Sequence, residues 1–134
     1  YTKLPLILKG ITHPSYAKKA IEFGVDGIVV SNHGGRVLDT LVTTMDILPK
    51  IVEVVDNKIP ILLDGGIIRG TDILKALALG ASAVMIGKPI MYALATAGAL
   101  GVAHSLKILK DELEISMALT GCKTLKDINK DILF

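Results

Sequence analysis

Short apolar runs alternate along the chain with segments of wider apolar spacing. Four runs rich in Ile, Leu, Val and Ala have the length and composition of buried strands, at residues 4–8, 27–30, 59–63 and 83–86. Continuous apolar strands are typical of parallel sheets, because helices cover both faces of such sheets. The pattern therefore predicts an α/β fold.

Helical spacing follows each predicted strand. The predicted helices cover residues 15–23, 42–55, 71–79 and 90–119. The first and third end before Gly24 and Gly80. We expect an interruption of the second near Pro49, because proline removes a hydrogen bond from a helix interior. Gly98 and Gly101 are expected to divide the long fourth region in two.

The two halves of the chain are copies of one βαβα unit. LPLILKG from Leu4 aligns with IPILLDG from Ile59, 55 residues later, and GVDGIVVS from Gly24 aligns with GASAVMIG from Gly80, 56 residues later. A repeat with right-handed parallel crossovers favours a (β/α)8 barrel over an open doubly wound sheet. About four of the eight βα units of such a barrel are present.

Composition and charge narrow the class of protein. The chain has 134 residues, 51% of them hydrophobic, with a mean hydropathy of +0.56, which suits one domain with a large core. No apolar run approaches the roughly 20 residues of a membrane span. A net charge of +2, from 15 basic and 13 acidic residues, provides no surface for nucleic acid. We expect the single cysteine, Cys122, to be a buried inert thiol, and we expect no metal site. Because the chain begins at Tyr1 and enters a predicted strand almost at once, we expect it to be part of a longer polypeptide.

Polar residues follow all four predicted strands, on the side where a barrel of this kind builds its active site. In the motif SNHGGR, at residues 31–36, two glycines permit a sharp turn and a close backbone approach. His33 is then a candidate base near neutral pH, and Arg36 a candidate clamp for a carboxylate. A polar turn with a solvated arginine explains the motif equally well.

Three further motifs are weaker signals. Asp64, in the DGG turn, is a candidate ligand or a simple helix cap. Lys9 is a lone cation at a strand end, which a salt bridge would also explain. Gly87-Lys88-Pro89 would present amide groups and an ammonium to a phosphate, or it is a plain turn with proline at a helix start.

Several motifs occur together in a specific order and spacing: LKG at 8–10, SNHGGR at 31–36 with LD at 38–39, LDGG at 63–66, KALALGA at 75–81 and MALTGC at 117–122. In this the chain resembles the FMN-dependent 2-hydroxy acid oxidases and dehydrogenases, the family of glycolate oxidase, lactate oxidase and flavocytochrome b2. The likeness covers essentially the whole chain. It implies that residues 1–134 are strands five to eight, the carboxyl-terminal half, of an FMN-dependent (β/α)8 barrel.

The resemblance also implies roles for four polar residues. Lys9 would stabilise negative charge at the N1 and O2 edge of the reduced flavin, and Ser31 would contact the same ring system. His33 would be the catalytic base that takes a proton from the substrate while two electrons pass to flavin N5. Arg36 would bind the substrate carboxylate and fix the substrate between imidazole and flavin. Carbanion and hydride transfer both remain open.

Two loops would then bind the ribityl chain and phosphate of FMN, through Asp64, Gly65 and Gly66 in one loop and Gly87 and Lys88 in the other. The chain departs from the family pattern in both loops. Where the family reads DGGxR, this chain has Ile68, with Arg69 one place later as a candidate substitute. Where the family reads GR, this chain has Lys88. We therefore expect weaker retention of FMN.

The resemblance implies oxidation of a small L-2-hydroxy acid, of the glycolate or L-lactate type, to the 2-oxo acid, with oxygen, a quinone or a cytochrome as electron acceptor. We expect no nucleic-acid partner, a homo-oligomer or association with the missing half-barrel, and a location in the cytoplasm or peripheral to a membrane. The fragment alone should be nearly inactive, because the family's aspartate partner of the histidine belongs to the other half. The alternative is a truncated or degenerate noncatalytic half-barrel that binds a phosphate-bearing ligand or a partner half. A relative that uses FMN on another substrate is a third hypothesis.

Overall fold

The computed structural model describes residues 2–133, in which strands and helices alternate around one parallel sheet. The elements are β1 (Ile7–Ile11), α1 (Pro14–Glu22), β2 (Gly27–Val30), α2 (Thr44–Val55), β3 (Ile61–Leu63), α3 (Gly70–Ala78), β4 (Ala83–Val84) and α4 (Lys88–Leu119), with short 3-10 turns at His33–Gly35, Leu125–Asp127 and Lys130–Leu133. Strands that are consecutive in the chain are neighbours in the sheet, and every pairing is parallel. The predicted α/β fold class is confirmed.

Strand β1 begins at Ile7 rather than at residue 4 and continues to Ile11. Lys9 therefore lies within the strand, and its predicted place just beyond the strand end is wrong. The extent of β1 follows its pairing with β2, and the register shifts between Lys9 and Ile11. Gly10 occupies this bulge with φ of +98°. The ends of an edge strand depend on its partner's ladder, which its own apolar run does not reveal.

Strand β2 has its predicted bounds, whereas β3 and β4 are shorter than predicted. β3 begins after Pro60, which has no backbone N–H to donate to a ladder. β4 pairs with β3 only at Ala83 and Val84, because β3 ends at Leu63. The predicted continuation of β4 to residue 86 is therefore wrong.

Helix α2 is continuous from Thr44 to Val55, so the predicted interruption near Pro49 is wrong. A proline inside a helix costs about 3 kcal/mol. Leu48 and Ile51, on either side of it, are fully buried, and burying one such side chain stabilises by about 1.5–3 kcal/mol. Burial of one apolar face therefore outweighs the local effect of proline. The other three predicted helices are confirmed to within two residues at each end.

Helix α4 contains the predicted division. Ala97 and Gly98 depart from helical dihedral angles, and Gly98 has φ of +56° and ψ of −141°. Gly101 lies beyond this break, where an added Cβ would come within 2.1 Å of the Ala93 carbonyl oxygen. The break is thus at Ala97 and Gly98, and Gly101 permits the close approach of the two segments.

By length and composition, α4 also meets the criteria for a membrane span, with a mean hydropathy of 1.3 over its most apolar window. The sequence has no uninterrupted apolar run of about 20 residues, yet this helix passes a test on averaged hydropathy. The expectation from the sequence counted uninterrupted apolar runs, whereas the many alanines and glycines of α4 raise a windowed average. Mostly buried core helices of soluble proteins meet the same criteria, but the apolar window of α4 is 0% buried among the described residues.

The main core lies between the sheet and the helices packed on it. Its largest fully buried aliphatic side chains are Ile28, Val30, Leu48, Ile51, Val55 and Leu63. Cys122 is buried in a smaller cluster near the carboxyl terminus, as predicted. In contrast, Leu6 and Ile7, at the start of the edge strand β1, are each 50% exposed. An apolar edge of this kind is one that proteins normally cover.

Candidate active site

A cavity of about 1400 Å³ opens at the carboxyl ends of the strands. Its lining brings together most of the site residues predicted from the sequence: Lys9, His33, Arg36, Asp64, Gly65, Gly66, Gly87 and Lys88. These residues come from the segments that follow or end all four strands. The structure therefore places them around one space, as expected where the ends of parallel strands meet.

The ammonium group of Lys9 connects strand β1 to the ends of β2 and β3. Its Nζ donates to Ser31 Oγ at 2.7 Å and forms an ion pair with Asp64 Oδ2. Ser31 is 1% exposed, so the Lys9 contact satisfies a buried hydroxyl. The other carboxylate oxygen, Asp64 Oδ1, is buried without a hydrogen-bond partner among the described residues. A buried carboxylate oxygen needs a donor, and a ligand in the cavity would supply one.

The turn after β2 is held by the side chains of the two residues that precede His33. The backbone N–H of His33 donates to Ser31 Oγ at 3.1 Å, and that of Gly34 donates to Asn32 Oδ1 at 3.1 Å. His33, Gly34 and Gly35 all have positive φ, at 54°, 68° and 71°. This conformation is uncommon for a residue other than glycine. The turn therefore places an exposed imidazole at the cavity through an uncommon backbone conformation that two hydrogen bonds hold.

Gly10, in the β1 bulge, lies directly beneath this imidazole. A Cβ added at Gly10 would come within 3.0 Å of His33 Nε2. The missing side chain thus leaves room for the ring. The sequence predicts no role for Gly10, because the contact depends on the bulge in β1.

Arg36 follows the turn and is exposed at the cavity. It is separated from His33 by the two glycines, so the guanidinium and the imidazole share one short segment. A guanidinium forms bidentate hydrogen bonds with a carboxylate. The pair can therefore hold an anionic substrate and accept a proton from it.

The DGG turn after β3 depends on close packing against the loop after β2. Gly65 and Gly66 both have φ of +84°. A Cβ on Gly65 would lie 2.7 Å from Asn32 Oδ1, and the Gly65 carbonyl accepts a hydrogen bond from Thr44 Oγ1 at 3.0 Å. Gly66 instead faces open space. Asn32 and Thr44 are positioning residues that the sequence does not reveal as such.

Arg69 lines a second, smaller cavity of about 320 Å³ between the residues that precede α3 and the two segments of α4. Its Nη1 donates to Glu112 Oε1 at 3.0 Å, and the other oxygen of Glu112 accepts from the backbone N–H of Gly70 at 2.8 Å. These two hydrogen bonds, chiefly that from Gly70, hold the pKa of Glu112 below its ordinary value of 4.5. Gly70 itself packs tightly, since an added Cβ would lie 2.2 Å from the backbone nitrogen of Leu113. Arg69 is thus held at the side of the main cavity where α3 meets α4.

Ile68 lines both cavities and is 62% exposed. Lys88, by contrast, lines the main cavity, and its Nζ donates to the carbonyl oxygen of Gly34 at 3.0 Å. Gly87, before it, has open space where a side chain would be. Of the three residues at which the family pattern is altered, Lys88 is the one that brings a cation to the main cavity.

These features define a parallel α/β protein of the (β/α)-barrel type, with a polar cavity at the carboxyl ends of its strands. The pattern that describes the FMN-dependent dehydrogenases matches residues 1–134. The chain belongs to this family.

Curated relatives match nearly the whole chain. The 2-hydroxyacid oxidase of Dictyostelium discoideum is 53% identical over 133 residues, which are 99% of this chain and 34% of the relative. The peroxisomal (S)-2-hydroxyacid oxidase GLO3 of Arabidopsis thaliana is 55% identical, over 97% of this chain and 36% of its own length. The L-lactate oxidase of a Nostoc species is 53% identical, over 97% of this chain and 36% of its own length. The chain therefore spans about a third of the length of these relatives.

Solved structures agree with this assignment. A lactate oxidase of Pediococcus acidilactici superposes with a TM-score of 0.94 and 47% identity, over 98% of this chain and 36% of that chain. A mandelate oxidase superposes with a TM-score of 0.92 and 47% identity, over 96% of this chain and 38% of that chain. Because the first superposition includes nearly all residues, α4 is a helix of the shared fold.

The residues around the main cavity fit FMN. Lys9 presents a fixed cation, and Asp64 presents a buried oxygen that lacks a donor in the described chain. Gly66 and Gly87 leave open space beside the backbone, which permits close approach of a ligand. Lys88 adds a cation near Gly87 for a phosphate. This set of groups suits a ligand with an electron-accepting ring, hydroxyl groups and a phosphate.

Proposed function

We propose that the protein to which this chain belongs oxidises a small L-2-hydroxy acid to the 2-oxo acid with FMN as cofactor. The main support is the convergence of His33, Arg36 and Lys9 on one cavity. A base, a carboxylate clamp and a fixed cation are three groups that this reaction uses. The names of the relatives, which are oxidases of hydroxy acids and of lactate, support the same class of substrate.

The residues of this chain would divide the work as follows. Arg36 binds the substrate carboxylate and sets the α-carbon within reach of the imidazole. His33 accepts one proton from the substrate, from carbon or from oxygen. FMN, when bound, would take up the electron pair and the second hydrogen that the substrate loses. Lys9 holds positive charge at the site, and Ser31 and Asp64 fix the ammonium in place.

Oxygen is the proposed final electron acceptor, because the relatives are named oxidases. A quinone or a cytochrome as acceptor would give the same reduction of the flavin by substrate. The acceptor is therefore tested separately, by the formation of hydrogen peroxide in air.

Anaerobic titration of the full-length protein tests the proposal. The purified protein should be yellow, and glycolate or L-lactate should bleach it without oxygen. Admission of air should restore the colour. A protein that contains FMN and is bleached by no 2-hydroxy acid would contradict the proposed substrate class.

A noncatalytic half-barrel is the second candidate. The observation that favours it is the ion pair between Arg69 and Glu112, which keeps a guanidinium out of the main cavity. This candidate predicts a colourless protein with no response to hydroxy acids, so the same titration separates the two functions.

We further propose that additional strands complete the sheet, either from the rest of a longer polypeptide or from a second copy of this chain. The exposed apolar side chains at the start of β1 support this proposal. Chain 1–134 alone should associate or aggregate, because a four-stranded half cannot close its edges. Sedimentation equilibrium that finds a stable monomer would contradict it.

A further inference from the structure

Lys88 links two parts of the cavity that are distant in the sequence. It is the first residue of α4, directly after the loop that follows β4, yet its Nζ donates to the Gly34 carbonyl in the turn after β2. Strand β3 lies between β2 and β4 in the sheet. The side chain therefore reaches past the end of an intervening strand to contact the turn that presents His33.

The turn at His33–Gly35, which Lys88 contacts, is held together by its own hydrogen bonds. The N–H of Gly34 is held by Asn32 Oδ1, and the N–H of Gly35 donates to the Asn32 carbonyl at 3.0 Å. The Gly34 carbonyl belongs to the peptide unit between these two glycines. A shift of the Lys88 ammonium therefore acts directly on the Gly34–Gly35 peptide plane, one peptide unit after His33.

An ammonium has three N–H donors, and the Gly34 carbonyl takes one of them. The other two point in different directions, because an ammonium is tetrahedral rather than planar. Beside Lys88, the backbone of Gly87 borders open space and begins α4 without a side-chain cap. An anion there would share the ammonium with the Gly34 carbonyl.

We propose that Lys88 is a positioning residue that couples a phosphate group bound beside Gly87 to the conformation of the His33 turn. The identity of this phosphate as that of FMN rests on the proposed function, whereas the link from Lys88 to Gly34 rests on the structure. Occupancy of the phosphate position would thereby adjust the site where the substrate proton is accepted.

Nuclear magnetic resonance of the full-length apoprotein, labelled with [15N]glycine, tests the coupling. Titration with inorganic phosphate, and then with FMN, should shift the amide resonances of Gly87 and Gly35 together. In Lys88→Met, the Gly35 resonance should already be displaced and should not respond to phosphate, and phosphate affinity should fall roughly 10- to 100-fold. Lys88→Arg, which keeps a charged donor, should restore the response of Gly35.

Lys58→Met is the matched control, because Lys58 is an exposed lysine in the loop after α2. It should leave both responses unchanged. A Gly35 resonance that follows phosphate in Lys88→Met as it does in the wild type would overturn the coupling. So would FMN binding that shifts Gly87 and leaves Gly35 unmoved in the wild type, with the proposed function intact. An apoprotein that binds neither phosphate nor FMN would overturn both proposals together.

Discussion

Replacing Gly10 by alanine should displace the imidazole of His33 and slow reduction of the flavin. Gly10 has φ of +98°, a conformation that L side chains rarely adopt. The new methyl group would also lie 3.0 Å from His33 Nε2, whereas ordinary contacts begin at 3.4 Å. The ring must therefore move by at least about 0.4 Å, the difference of these two distances.

The size of both effects follows from these numbers. Backbone strain of this kind costs about 1–3 kcal/mol of stability. A misplacement of about 1 Å at a reacting group can slow catalysis about 100-fold. If the logarithm of the rate falls in proportion to the displacement, a 0.4 Å shift slows flavin reduction about sixfold.

Gly24→Ala separates the two effects. Gly24 has φ of +73°, and an added Cβ there would meet no atom within 4 Å. It should therefore lose stability like Gly10→Ala while it keeps the wild-type rate. Stability is measured by urea unfolding of the full-length protein, and the rate by anaerobic stopped-flow reduction at saturating substrate. Wild-type reduction in Gly10→Ala, or an equal slowing in Gly24→Ala, would refute the role assigned to Gly10.

Three further substitutions test the site and its supports. His33→Ala should abolish flavin reduction while FMN stays bound, because the backbone N–H of His33, not its ring, holds the turn to Ser31; loss of FMN on gel filtration would contradict this. Arg36→Lys should raise the KM for the hydroxy acid and also lower kcat, since an ammonium lacks the bidentate fork, and steady-state kinetics that show an unchanged KM would refute the clamp. Glu112→Gln should destabilise the protein near pH 7. The pKa of Glu112 in the folded protein lies below its ordinary value of 4.5. The ionised carboxylate therefore contributes to the free energy of unfolding above pH 4.5, and this contribution is lost as the pH falls through the folded pKa. Urea unfolding should therefore show the difference between wild type and variant shrinking as the pH falls below 4.5, and a difference that stays constant would refute the assigned cause.

The parts of the fold and site that the sequence predicts are those set by local pattern. β2 is a central buried strand, so its apolar run and its ladder coincide. The polar residues after the strands meet because parallel strands place their carboxyl ends together. Gly10 and Glu112 escape prediction, since the first acts through a bulge and the second contacts residues more than 40 positions away. The predicted interruption of α2 at Pro49 is wrong for a related reason, because burial of one face stabilises this helix more than the local effect of proline destabilises it.

The altered arginine pattern shows how a one-residue displacement changes the electrostatics of a cavity. Ile68 and Arg69 are adjacent, yet Ile68 borders the main cavity while Arg69 turns to Glu112. The Glu112 carboxylate is also held by the N–H of Gly70, so it is a fixed acceptor for the guanidinium. Moving Arg69 towards a phosphate would break this ion pair and leave a partly buried carboxylate with one donor fewer. Lys88 is therefore better placed than Arg69 to bind the phosphate, and a single ammonium there explains why we expect FMN to be held less tightly than by two guanidinium groups.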